Sequence, residues 1–130
     1  MSNGFELSIV LPATPLEIYS AFLSSEGHAA LTGSPARVDG KVGGKFSAWE
    51  GYIFGTTLEL EAPRRIVQAW RTTEFPEDAP DSRVEILLEA VQGGTKLTLT
   101  HTDMPLDQVD SYRQGWEDFY FKPMRVWSGK

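Results

Sequence analysis

The stretch LDQVDSYRQGWEDFYFKPMRVW, from Leu106 to Trp127, decides the fold. Val109, Tyr112, Trp116, Phe119, Tyr120, Pro123, Met124 and Trp127 recur in it at steps of three and four residues. That spacing places them on one broad apolar stripe of a helix, the longest helix the chain can form. A stripe so rich in large rings must be buried against a second apolar surface. Pro123 lacks a backbone donor, which predicts a kink or loosened turn in this helix, and Gly115 lowers its intrinsic stability.

The partner surface lies upstream. Arg83–Val91 and Thr95–Thr102 alternate apolar and polar residues around Gly93-Gly94, the pattern of a tight hairpin. Val84, Ile86, Leu88 and Ala90 share one face of the first strand, and Leu97, Leu99 and His101 share one face of the second. Before them, Lys45–Trp49, Tyr52–Glu61 and Ile66–Thr72 read as strands joined by Glu50-Gly51 and by Pro63-Arg64-Arg65. In the long strand Tyr52, Phe54, Leu58 and Leu60 are expected inside, opposite Glu59 and Glu61, with Gly55 allowing a bend. Strands joined by such short turns pair antiparallel, since parallel pairs need long crossovers.

At the N-terminus, Phe5, Leu7, Ile9 and Leu11 alternate as a half-buried strand that Pro12 ends. Thr14-Pro15-Leu16-Glu17 combines a Thr cap, Pro at the first helical position and Glu three residues after the cap. The helix it starts carries Ile18, Tyr19, Phe22 and Leu23, and a second short helix spans Glu26 to Leu31. The order is strand, two short helices, a run of up to six strands, then the long helix. It predicts an α+β fold, residues 1–130 forming one domain: a curved antiparallel sheet wrapped around the C-terminal helix.

Composition narrows the function. The chain has 130 residues, 41% of them apolar, with seven Phe, four Trp and four Tyr, enough to build a core. A formal charge of −6 argues against nucleic acid as a partner. With no cysteine, disulfides, thiol catalysis and thiolate metal sites are excluded. No segment approaches the ~18 apolar residues of a membrane span, and the Met-Ser-Asn-Gly start lacks a signal-peptide pattern, so a cytoplasmic location is expected.

No Gly-x-Ser-x-Gly turn or phosphate loop is present, and only His28 and His101 could serve as imidazole bases. No catalytic residue, metal site or cofactor is therefore expected. His28 reads as a surface or capping residue, and Glu117 and Asp118 as part of a solvated helix face. His101 shares the inner face with Leu97 and Leu99, where hydrogen bonding to a neighbour is expected. The rings between sheet and helix either fill the interior or line a cavity for an apolar ligand. The candidate wall is Phe46, Phe54, Trp70, Leu88, Leu99, His101, Tyr112, Trp116 and Tyr120. Trp49 and Phe121 fall off the inner stripes and, if exposed, are candidates for a partner surface.

Gly43-Gly44-Lys45-Phe46, Trp49-Glu50-Gly51, Pro63-Arg64-Arg65-Ile66-Val67 with Trp70-Arg71, and Arg113-Gln114-Gly115-Trp116 with Tyr120-Phe121 occur in an order that resembles a known family. It is the C-terminal domain of activators of heat-shock protein 90 ATPase, the AHSA domain, within the START-like (SRPBCC) superfamily. The similarity runs from about Phe5 to Trp127. It implies a helix-grip fold and a non-enzymatic binding protein related to chaperone ATPase activators. The alternative it leaves is a carrier or sensor of a small hydrophobic ligand held between sheet and helix. Eukaryotic activators carry an additional N-terminal domain, so weak stimulation of a chaperone ATPase, or none, is expected of this stretch alone.

Overall fold

The first two helices begin where the sequence supplies a cap. The computed structural model of the protein describes residues 4–129. After strand β1 (Gly4–Leu11), helix α1 (Pro15–Phe22) opens on a capping box. The Thr14 hydroxyl accepts from the Glu17 amide at 3.1 Å, and the Glu17 carboxylate accepts from the Thr14 amide at 2.9 Å. Ser24 caps helix α2 (Ser25–Thr32), which ends on Gly33 in the left-handed conformation.

Six strands follow: β2 (Ala36–Val38), β3 (Lys45–Ala48), β4 (Ile53–Glu61), β5 (Arg65–Thr72), β6 (Ser82–Val91) and β7 (Gly94–Thr102). They form one antiparallel sheet in the order β1-β7-β6-β5-β4-β3-β2. Cross-strand partners share a face, so Phe5, His101, Val84, Gln68 and Thr57 form one row across the sheet. Leu7, Leu99, Ile86, Ile66 and Leu60 form the next row on the same side.

In β4 the expected parity holds for only half the strand. Ile53 and Thr57 are buried, whereas Phe54 and Leu58 lie on the outer face. A register shift between Thr57 and Glu59 inserts one residue, so Leu60 still points inward although Phe54 does not. A bulge of this kind reverses the alternation at one point and bends the strand. Gly55 sits opposite Trp70, where an added Cβ would fall 1.9 Å from the Ala69 carbonyl and 2.8 Å from the Phe46 ring. Only glycine admits that close approach.

The C-terminal segment runs as four pieces rather than one regular helix. A 3₁₀ turn (Leu106–Gln108) leads into α3 (Val109–Trp116), then a π turn (Glu117–Phe121), then α4 (Lys122–Ser128). The amide of Lys122 bonds back to Glu117, five residues earlier. Pro123 follows at once and cannot donate at all, so the loosened turn expected from it lies just before it.

The extra residue in the wide turn changes which rings face inward. Phe119, expected inside, is 53% exposed, while Phe121, expected outside, is 1% exposed. Tyr112, Trp116, Tyr120 and Met124 remain buried, and Val109, Pro123 and Trp127 are half-buried.

Leu99 has no exposed surface and sits in register between Leu7 and Ile86. Leu99→Ala is expected to lower the unfolding free energy by about 2–5 kcal/mol. Urea titration should show this as an earlier midpoint at constant slope; an unmoved midpoint would place Leu99 outside the core.

Candidate functional site

Helix and sheet are joined by a buried polar chain centred on His101. The Trp116 indole N–H donates to His101 Nδ1 at 3.1 Å, and Nε2 lies 2.8 Å from the Ser82 hydroxyl. Ser82 in turn donates to the Trp70 carbonyl at 2.6 Å. Since Nδ1 accepts and the Ser82 proton is committed to a carbonyl, Nε2 must carry the ring's one proton. The imidazole is thus neutral and oriented. Burial depresses its pKa from 6.5 to about 3. Trp70 and Phe5 meet the same ring edge-on at 4.5 and 5.5 Å.

His28 forms a second buried link. It is 2% exposed, not a surface or capping residue, because α2 turns it inward toward the C-terminal helix. One ring nitrogen faces the Phe22 carbonyl at 3.2 Å and the other the Tyr120 hydroxyl at 3.0 Å. Nδ1 therefore donates to the carbonyl and Nε2 accepts from the phenol. Burial depresses this pKa as well. Helix spacing on α2 could not reveal this partner, 92 residues away in the chain.

The open space lies beside these links. A cleft of about 420 Å³ is lined by Trp49, Tyr52 and Ile53 from the β3–β4 hairpin, by Trp70, and by Ser111, Tyr112, Gly115, Trp116, Phe119 and Tyr120 from the last helical segment. No lining side chain is charged. Gly115 helps to open it: a Cβ there would have Phe119 as nearest neighbour, at 3.9 Å. The Trp49 and Phe119 rings pack edge-on at 5.2 Å across the rim.

Polar tips around the cleft are engaged. Tyr52 donates to the Glu74 carboxylate, and burial together with that contact pushes its phenol up. Tyr112 donates to Gln108 and lies 2.7 Å from the Thr72 hydroxyl, while Gln108 donates to the Glu74 carbonyl at 3.0 Å. These bonds fasten the loop after β5 to the start of the C-terminal segment. Burial also pushes Tyr120 up, and the nearby Trp49 N–H opposes that shift. The Trp49 N–H nevertheless forms no hydrogen bond of normal geometry and is the one buried side-chain polar atom without a partner among the described residues.

Residues 12–126 match the family model described as activator of Hsp90 ATPase homolog 1-like protein. The chain belongs to that family. The AHSA1-like domain is 29% identical over 112 residues to the human "Activator of 90 kDa heat shock protein ATPase homolog 1", covering 86% of this chain and 33% of that protein. It thus spans about a third of the length of the curated relatives it matches. A crystal structure described as an HSP90 activator from Plasmodium falciparum superposes with a TM-score of 0.87 at 30% identity, covering 98% of this chain and 96% of that one. Ara h 8.0201, at 19% identity and a TM-score of 0.74, covers 98% of each chain and shows the shared helix-grip fold alone.

Within this AHSA1-like domain, four of the nine expected wall residues line the cleft: Trp70, Tyr112, Trp116 and Tyr120. Phe46, Leu88, Leu99 and His101 are buried in the packed interior instead. Phe54 is on the outer face, a correction that follows from the β4 bulge. Tyr52, Ile53, Ser111 and Gly115 escaped the sequence reading as wall residues. The readable signal was Gly115, a glycine on the cleft side of a ring-rich helix. Trp49, expected on a partner surface, is half-buried at the rim, and Phe121 is core.

The neutral histidines predict how stability depends on pH. The unfolded chain protonates His101 near 6.5, the folded protein only near 3. Between those values the unfolded state binds more protons, so stability is full above about 6.5 and falls as pH drops toward 3. The slope approaches about 1.4 kcal/mol per pH unit for one such histidine, and His28 adds in the same direction. His101→Gln should be less stable at pH 7 yet lose less between pH 7 and pH 5. Urea titrations with equal losses in both proteins would contradict this assignment.

Proposed function

We propose that this AHSA1-like domain is a non-enzymatic binding domain that engages a heat-shock-90-type chaperone ATPase. The observation that carries the reading is the match to the Plasmodium falciparum HSP90 activator over nearly the whole length of both chains. Both histidines are committed to internal hydrogen bonds, and neither lines the cleft, which supports a binding role over a catalytic one. Among the described residues no group of three His, Asp or Glu is arranged to hold a metal ion, and no helix is long and apolar enough to cross a membrane.

Calorimetric titration into a purified chaperone of this class should give a saturable complex. Steady-state turnover should rise by less than with a full-length eukaryotic activator assayed beside it. Absence of a complex, together with unchanged ATPase turnover, would overturn the proposal.

A second reading rests on a different observation, the uncharged ring-lined cleft. Its volume of about 420 Å³ falls within the ~300–1,000 Å³ typical of small-molecule sites. On this reading the domain also holds a small apolar molecule at the β3–β4 hairpin. Leu88, Leu99 and His101 pack the deep gap between sheet and helix, so the site is displaced to its edge.

A further inference from the structure

Three irregularities converge on Trp49. First, its backbone is strained. Trp49, Glu50 and Gly51 take φ values of 54°, 58° and 86°, three successive residues in the left-handed region. A bulky residue there costs on the order of 1–3 kcal/mol and persists only where the surroundings enforce it. Second, the strain holds the indole over the cleft, against Phe119. Third, the indole N–H is buried without a hydrogen-bond partner, a state native structures seldom leave uncompensated.

The neighbouring groups limit what could complete that N–H. The Tyr120 hydroxyl, which donates to His28, stands near the indole N–H but outside normal hydrogen-bond geometry for it, and the hydroxyls of Tyr52 and Tyr112 are drawn to Glu74 and Gln108. No cationic side chain lines the cleft, and the Glu74 carboxylate stands behind Tyr52. A carboxylate ligand would be desolvated with no counter-charge and repelled by Glu74. A neutral oxygen acceptor suits the buried, unpartnered indole N–H, and the lining of rings suits a flat apolar body.

We propose that the cleft binds a neutral, flat, mainly apolar molecule through one carbonyl-type oxygen, which accepts a hydrogen bond from the Trp49 indole N–H. The inference rests on the cleft reading given above and adds the ligand's chemistry and its anchor. Trp49 is the specificity-determining residue, and the space left by Gly115 admits the ring body.

The test uses three naphthalenes of similar shape: 2-acetylnaphthalene with a carbonyl, 2-ethylnaphthalene without an acceptor, and 2-naphthoate as the anion. Each is titrated into the ¹⁵N-labelled protein and followed by ¹H–¹⁵N NMR, with the Trp49 indole signal assigned by its loss in Trp49→Phe. The ketone should move that signal downfield and bind about two- to tenfold tighter than the hydrocarbon, the worth of one neutral hydrogen bond. Naphthoate should bind more weakly than the ketone.

Trp49→Phe keeps a ring and should bind ketone and hydrocarbon equally. Gly115→Leu, filling the cleft from a helical position with open space beside it, should lose both. Equal binding of ketone and hydrocarbon by the wild-type protein, with an unmoved Trp49 indole signal, would overturn the anchor and leave the cleft reading standing. Naphthoate binding as tightly as the ketone would overturn the requirement for neutrality. If no probe moves any signal from cleft residues, the cleft reading itself fails and the anchor with it.

Discussion

A neutral imidazole with no exposed surface joins the two layers of the molecule. His101 sits on the inner row of the sheet, yet its Nδ1 is the acceptor for the indole of Trp116 on the helix. Losing either partner would strand a buried polar group, whose desolvation costs about 1–3 kcal/mol. The directional demands of Trp116, His101 and Ser82 therefore specify how far along the sheet the helix sits. Apolar packing alone is far less particular about position. The His28–Tyr120 bond repeats the device one helical turn onward, tying α2 to the same helix. Two such links hold Trp116 and Tyr120 in place as cleft walls.

Between and beyond those links, the helix must follow a curved sheet while keeping its rings inward. A regular helix with the stripe read from the sequence would carry Phe119 inside and leave Phe121 outside. The π turn gives the opposite result, since one additional residue per turn rotates the following side chains by about 100°. Phe121 then joins the core, and Phe119 is released to the cleft rim beside Trp49. Turns of this type are frequent at functional sites, and this one separates a structural segment from an exposed edge.

Much of the fold was legible from local patterns. The capping box at Thr14, the Gly93-Gly94 hairpin and the parity of β6 and β7 need only near neighbours in the chain, and each is found as expected. Membership in the AHSA1-like family was legible for a different reason, the joint order of several weak motifs. Phe54 shows where local pattern fails. A bulge is decided by pairing with β5, so the strand's own alternation does not reveal it. His28 fails similarly, because its partner Tyr120 comes from the opposite end of the chain. Of the site, Trp70, Tyr112, Trp116 and Tyr120 were readable as inward rings, whereas their division between wall and packed core depends on helix register.

Departures from local rules are not spread evenly over the molecule. Across β1, β6 and β7, alternation and burial agree over most of each strand, and the buried polar groups there have partners. Around the cleft lie a bulky residue in the left-handed region, an unpartnered buried donor, a helical glycine and a widened turn. A core shaped by stability alone would favour alanine over Gly115 and a paired indole N–H. Concentration of such conflicts at one place, inside an otherwise consistent fold, is the pattern expected where shape has been kept for binding. The same physical economy explains why the deep interior is closed. His101 can stay neutral and oriented only if water is kept out, so Leu99, Val84 and Phe5 pack around it and the open volume is left at the β3–β4 edge, where Trp49 stands.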